Sequence, residues 1–184
     1  MKPRGFQPDE IIFSSTTACN LHCEHCFINR EPKQLAIADA VALIESCAKA
    51  DSPDLPRIDR IGFSGGEPFL YMDFLIEVTK AAISHDLMFD QIMTNGDWWK
   101  NEADLTATLQ KIYDAGYDGK IGLSWDSYHG QTTNRMETFI RTVQEIFGDD
   151  SINIQTVDDS EGGSLPLART SLLATPSNGW LRPP

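Results

Sequence analysis

Apolar residues recur along this chain with two alternating periods. Short runs of apolar and β-branched residues, bounded by Gly, Ser or Asn, predict five strands. These runs begin near Ile11, Ile58, Met88, Lys120 and Ser151. Each intervening segment carries one apolar stripe at helical spacing, which predicts four helices. The stripes run from Ile37 to Ala48, from Tyr71 to Val78, from Leu105 to Ile112 and from Met136 to Phe147.

The order of these segments predicts the fold class. From the second strand onward, successive strands begin about 30 residues apart, which is the length of a minimal βαβ unit. Strands that alternate with helices in this way form a parallel sheet, so we expect an α/β fold with about five strands. Functional groups in such folds gather in loops at the carboxyl ends of the strands. Here those loops are residues 17–30, 65–70, 94–97 and 126–131.

The alternating pattern defines one domain. It extends to Val157, so we assign residues 1–157 to a single core, as the total of 184 residues also suggests. Residues 158–184 contain Ser, Gly and Pro throughout and have no apolar period. We therefore expect an irregular or disordered tail there.

Charge and cysteine content restrict the functional classes. The chain carries 15 basic and 27 acidic side chains, a net charge of −12, which argues against a nucleic-acid partner. No apolar run approaches the roughly 20 residues that cross a bilayer, and the first ten residues lack the apolar segment of a secretory signal. Three of the four cysteines crowd into eight residues, a poor layout for disulfides. We expect a cytoplasmic protein without membrane contact.

The cysteine cluster is the strongest chemical signal. Cys19, Cys23 and Cys26 have C-x3-C-x2-C spacing, which would also place them on one face of a helix. The positions one turn before and one turn after them are polar, however, so a buried helix face is disfavoured. Cys47 lies on the apolar face of the first predicted helix with Ala40, Leu43 and Ile44, and we expect it in the core.

Two kinds of metal site remain open for this cluster. A structural zinc ion prefers four ligands, and His22 or His25 could add a nitrogen, although the chain has no second cysteine pair. An iron–sulfur cluster is the other alternative, because thiolates ligate the irons of a cubane. Three cysteines would leave one of four irons without a protein ligand. An open coordination position is typical of a catalytic metal.

A second motif follows the second predicted strand. Ser64-Gly65-Gly66-Glu67-Pro68 places two glycines where a ligand could approach bare backbone. Pro68 suits the first turn of the next helix. Alone, this motif is as typical of an ordinary turn as of a binding site.

Together the two motifs resemble the radical S-adenosylmethionine (radical SAM) superfamily, over roughly Ile11 to Val157. The resemblance implies a partial (β/α) barrel in which Cys19, Cys23 and Cys26 bind a 4Fe-4S cluster. It also implies S-adenosylmethionine (SAM) as a second cofactor, cleaved reductively to a 5′-deoxyadenosyl radical that abstracts hydrogen from a small-molecule or peptide substrate. An electron donor such as a flavodoxin or ferredoxin would reduce the cluster.

The resemblance also implies contacts to SAM. The Gly65-Gly66-Glu67-Pro68 match would hold the methionyl amino group through backbone carbonyls and the Glu67 carboxylate. His25 occupies the position near the adenine. Asn95 belongs to a Thr-Asn-Gly turn that is frequent in the family, although an ordinary Asn-Gly turn is an open alternative. Ser124 and Asp126 resemble a Ser-x-Asp stretch facing the ribose or the carboxylate, with Ser124 as the favoured contact and Asp126 as either a contact or a cap near the next helix. Two further residues, His129 and Arg135, would face substrate or the SAM carboxylate, or would lie on the surface of the fourth helix.

The chain also departs from the family pattern. The family barrel has six βα units, whereas this sequence predicts five strands and four helices. The 27 residues after Val157 are too few for the missing helix, strand and helix. A truncated, non-catalytic remnant that binds an iron–sulfur cluster or zinc is therefore an alternative to an active enzyme. No cysteine follows Cys47, so no further cluster is expected.

Overall fold

A computed structural model describes residues 8–29, 31–50 and 57–156, and the fold is built from nine regular elements within these ranges. In chain order they are β1 (Glu10–Ser14), α1 (Ile37–Lys49), β2 (Arg60–Ser64), α2 (Met72–Ser84), β3 (Met88–Thr94), α3 (Glu102–Asp114), β4 (Lys120–Ser124), α4 (Thr133–Phe147) and β5 (Ile152–Gln155). Each of the five strands begins within two residues of its predicted start. The expected tail, residues 158–184, lies outside the described residues.

The sheet confirms the predicted α/β fold. Its strands follow one another in chain order, as they do in a (β/α) barrel. All strand pairs are parallel, and the order β1-β2-β3-β4-β5 follows the chain. Because βαβ crossovers are right-handed, crossovers that always advance in one direction place every helix on the same face. Contacts of α1 with α2, α2 with α3 and α3 with α4 agree with this arrangement. Among the described residues β1 and β5 do not pair, so the barrel is partial.

The core lies between the sheet and this layer of helices. Alternate strand residues face it, including the fully buried Phe63, Ile92 and Leu123, and the helices contribute side chains such as Phe74 and Phe139. Period-2 burial on one face of the sheet is the pattern that its pleat imposes. No helix of the described residues covers the opposite face. There the side chain of Asn153 donates to Gln91 Oε1 at 3.3 Å.

Local sequence explains where the elements end. Asn101 caps α3 by accepting the Asp104 N–H at 3.0 Å, and α4 ends at Gly148, whose φ of 100° favours glycine. The stripe of α1 is narrower than expected. Ala40 and Ile44 are buried, but Leu43 is 45% exposed and Cys47 is only half-buried, so the prediction of a core position for Cys47 was too strong.

The four helices differ in their apolar content, but all are short. No helix in the described part of the chain is both long and apolar enough to cross a membrane.

Candidate functional site

A cavity of about 240 Å³ lies at the carboxyl edge of the sheet. Loops that follow β1, β2, β3 and β4 all contribute to its wall, as expected for a parallel sheet. Eleven residues were assigned from the sequence to the cluster or to SAM, and eight of them line this cavity: Cys19, Cys23, His25, Cys26, Gly65, Gly66, Asn95 and Ser124. His129 lines it as well.

The three cysteines occupy an irregular loop, in agreement with the sequence argument against a buried helix face. The base of this loop is closed by an antiparallel bridge between Thr16 and Gln34. Thr17 Oγ1 donates to the Glu31 carbonyl at 2.6 Å and accepts the Lys33 N–H at 2.8 Å. The loop therefore has a fixed base and carries its thiols to the cavity.

The thiols are close enough to affect one another electrostatically. Burial raises the pKa of Cys19, and the charges of Glu67 and Cys26 add to the rise. Burial also raises the pKa of Cys23, with further increases from Cys19 and Cys26. Bound cationic metal reverses such shifts, because a coordinating thiol loses its proton. The donor type and the shared cavity thus fit the thiolate corners of an iron–sulfur cluster.

The three cysteines differ in exposure. Cys26 is exposed, while Cys19 and Cys23 are half-buried. Within the described ranges, no group of three or more His, Cys, Asp or Glu side chains is arranged so that it could hold a metal ion. What fits a cluster is therefore the thiol chemistry of the three cysteines and the cavity that they share.

The two glycines pack directly against the base of the cysteine loop. A Cβ on Gly65 would overlap the Thr16 carbonyl oxygen, and one on Gly66 would overlap that of Ala18. Gly65 also has a φ of 134°, a conformation that side chains rarely adopt. Gly66 N–H donates to Thr16 O at 2.6 Å, and Glu67 N–H donates to Ala18 O at 2.8 Å. Glycine is needed here so that the two loops can meet at the cavity.

Glu67 lies behind the cavity wall. Its fully buried carboxylate accepts the Thr94 hydroxyl at 2.8 Å, the Asn95 N–H at 2.8 Å and the Phe69 N–H at 3.1 Å. Burial raises the pKa of Glu67 to about 7, although these hydrogen bonds oppose the shift. Pro68 is also buried, at the first position of a 3₁₀ turn that leads into α2. The structure thus places both residues beneath the lining, with Glu67 holding the loop after β3.

Asn95 connects that loop to the cysteines. Its Oδ1 accepts the Asp97 N–H at 2.8 Å. Its Nδ2 donates to Asn20 Oδ1 at 3.0 Å and to Cys19 Sγ at 3.7 Å. Asn20 in turn donates to the Asp97 carbonyl at 3.2 Å. The first cysteine and the loop after β3 therefore form one polar network.

The loop after β4 contributes the His129 ring to the cavity wall. Asp126 Oδ1 accepts the Tyr128 N–H at 3.0 Å and pairs with His129 Nδ1 at 2.7 Å. The rings of Tyr128 and His129 each meet the His25 ring edge-on, with centroids 5.1 Å apart. Asp126 thus orients His129 from outside the lining, while His25 and His129 face the cavity.

Arg135 was expected either to face substrate or SAM or to lie on the surface of the fourth helix, and its position differs from both. It pairs through Nε with the Asp97 carboxylate, donates to the Trp99 carbonyl at 2.7 Å and lies 3.6 Å above the Trp99 ring. This half-buried cluster fastens α4 to the loop after β3. Arg135 therefore lies neither in the cavity lining nor on an open helix surface.

Sequence reasoning missed two residues that organise the site. Gln131 Nε2 donates to the carbonyls of Asn95 at 2.7 Å and Ser124 at 2.8 Å, which joins the ends of β3 and β4. Asn20 joins the cysteine loop to Asp97. Both are single amides in loops, without periodicity or a recognised motif, and only their positions inside the predicted loops could have drawn attention to them.

Comparison with known proteins identifies the family. The Radical SAM superfamily matches residues 13–147, more than half of the chain. The chain belongs to the radical SAM superfamily. A similar solved structure is the crystal structure of Streptococcus suis SuiB, with 16% identity and a TM-score of 0.47, covering 85% of this chain and 41% of that one. This chain thus spans less than half the length of that protein. No curated protein matches it.

Proposed function

We propose that this chain is a radical SAM enzyme that binds a 4Fe-4S cluster through Cys19, Cys23 and Cys26. The observation that supports this is the shared cavity, which Cys19, Cys23 and Cys26 line together with Gly65 and Gly66. When bound, the cluster and SAM supply one-electron chemistry, in which SAM is cleaved to a 5′-deoxyadenosyl radical that abstracts hydrogen. The substrate is a small molecule or a peptide.

SAM is held and oriented in this proposal by four other lining residues, Gly65, Gly66, Ser124 and His25. Carbonyl oxygens of Gly65 and Gly66 accept from its ammonium group, and the Ser124 hydroxyl binds the ribose or the carboxylate. The flat His25 ring packs near the adenine. Glu67, Pro68 and Asp126 act indirectly, since Glu67 fixes the Thr94–Asn95 backbone and Asp126 fixes His129.

The proposal also covers the electron donor, the compartment and the kind of substrate. An electron donor such as a flavodoxin or ferredoxin reduces the cluster, and the protein works in the cytoplasm. The net charge of −12 disfavours RNA or DNA as the substrate.

Anaerobic reconstitution with iron and sulfide tests the ligand assignment. We expect about four irons and four sulfides per chain, and loss of the cluster in Cys23→Ala. Cys47→Ala is the matched control, because Cys47 is half-buried on α1, away from the lining of the cavity. The assignment would be contradicted if Cys47→Ala lost the cluster while Cys23→Ala kept its full iron and sulfide content.

Formation of 5′-deoxyadenosine tests the activity. After chemical reduction and addition of SAM, we expect slow release of 5′-deoxyadenosine, detected by mass spectrometry, and none from Cys23→Ala. An intact cluster without release would support the alternative of a non-catalytic cluster-binding remnant. One bound zinc without sulfide would instead support the zinc-binding alternative.

A further inference from the structure

We propose that Asn95 is a positioning residue that raises the reduction potential of the cluster by donating a hydrogen bond from Nδ2 to Cys19 Sγ. The inference rests on the proposed function, because it requires Cys19 to be a cluster ligand. It assigns to Asn95 a contact with the ligand sulfur rather than with SAM.

The orientation of the Asn95 amide is fixed by its other partners. Oδ1 accepts the Asp97 N–H, and a backbone N–H can only donate, so the oxygen must lie on that side. The opposite, donating end then faces Asn20 Oδ1 and Cys19 Sγ. An amide NH₂ has two hydrogens, one for each acceptor. The 3.7 Å separation from Cys19 Sγ is long because sulfur is a large acceptor atom.

The Asn95 backbone is held as firmly as its side chain. The Glu67 carboxylate accepts its N–H at 2.8 Å, and Gln131 donates to its carbonyl at 2.7 Å. The residue is only 6% exposed, so water does not compete freely for the amide. A donor fixed on both sides keeps its dipole directed at the sulfur in both oxidation states of a cluster.

The physical effect follows from charge. One-electron reduction adds a negative charge to the cluster and its thiolate ligands, with no bond formed or broken in the protein. An N–H dipole directed at a ligand sulfur stabilises that charge more in the reduced state than in the oxidised state. Hydrogen bonds to the sulfurs are one of the determinants of cluster potential. Loss of the donor should therefore lower the potential.

Two substitutions separate the donor from the turn that holds it. Asn95→Asp keeps an oxygen for the Asp97 N–H and replaces the donor by a carboxylate oxygen. Asn95→Leu removes the donor without adding charge. Asn101→Asp is the matched control, since this exposed cap also accepts a backbone N–H and gains the same charge. The measurement is the midpoint potential of the reconstituted protein without SAM, in a dithionite titration followed by electron paramagnetic resonance.

We expect lower midpoint potentials in both Asn95 variants, with the larger fall in Asn95→Asp, and the parental value in Asn101→Asp. Parental iron and sulfide content with parental potentials in both Asn95 variants would overturn the inference and leave the proposed function intact. A parent chain that assembles no cluster would overturn the proposed function and this inference with it.

A measurement on the parent chain covers the case in which neither Asn95 variant retains a cluster. Asparagine labelled with ¹⁵N at the side-chain amide is incorporated, and the reduced cluster is studied by pulsed electron paramagnetic resonance. A ¹⁵N coupling to the cluster that persists in Asn20→Asp, which lacks the other labelled amide of this network, supports the hydrogen bond from Asn95 to Cys19. Its absence overturns the inference, because Nδ2 would then be too far from the ligand sulfur.

Discussion

At the scale of single residues, the most unusual group in the site is the buried Glu67 carboxylate. It has no exposed surface, and it connects the loop after β2 to the loop after β3 by accepting from Thr94 and Asn95. A buried carboxylate with three donors is held in place but is costly to ionise. Its effect on the site is therefore to fix the Asn95 backbone, on which the orientation of the Nδ2 donor depends.

Glu67 should make the stability of the metal-free chain depend on pH. Burial raises its pKa from 4.5 to about 7 in the folded state, so the folded chain binds more protons than the unfolded chain between these values. The stabilisation is fully present below about pH 4.5 and is lost as the pH rises through about 7. In Glu67→Gln we expect a smaller fall in melting temperature between pH 5 and 8, measured by circular dichroism with reduced thiols. Equal slopes in parent and variant would contradict the raised pKa.

At the scale of elements, the Arg135 cluster determines how α4 meets the loop after β3. We expect Arg135→Gln to lower the free energy of unfolding by about 1–3 kcal/mol, because a charged hydrogen bond and a cation–π contact are lost. Arg141→Gln on the same helix is the control. Its ion pairs with Glu102 and Glu145 are exposed, so we expect a loss below about 1 kcal/mol. Urea unfolding measures both, and equal losses would contradict the structural role of Arg135.

The regular elements were predictable from the sequence, and the side chains that organise the site were not. Periodicity located every strand and helix because burial on one face repeats along an element, as at Leu105, Leu109 and Ile112. The cysteine and glycine motifs located the cavity wall because parallel strands bring their carboxyl ends together. Asn20 and Gln131 each act through two hydrogen bonds, which include pairings between residues 77 and 36 positions apart in the chain. Such pairings leave no local pattern.

At the scale of the whole molecule, the order of the strands determines which face of the sheet the described helices cover. In the described residues every crossover advances in one direction, so the helices cover one face of the sheet, and the Gln91–Asn153 hydrogen bond lies on the other. The stability of the domain therefore comes mainly from the helix-covered face. The site lies at the edge where loops from four strands meet, and its geometry depends on those strands remaining in register.

The same open winding predicts a gradient of stability across the sheet. In the described residues β3 pairs on both sides, with β2 and β4, while β1 pairs only with β2 and β5 only with β4. Strands with one neighbour open at lower free energy, so their amides should exchange with solvent sooner. Hydrogen–deuterium exchange followed by mass spectrometry should show the slowest exchange in β3, after correction for intrinsic rates. If β1 and β5 exchange as slowly as β3, both edges must be paired in solution, and the barrel is more complete than these five strands show.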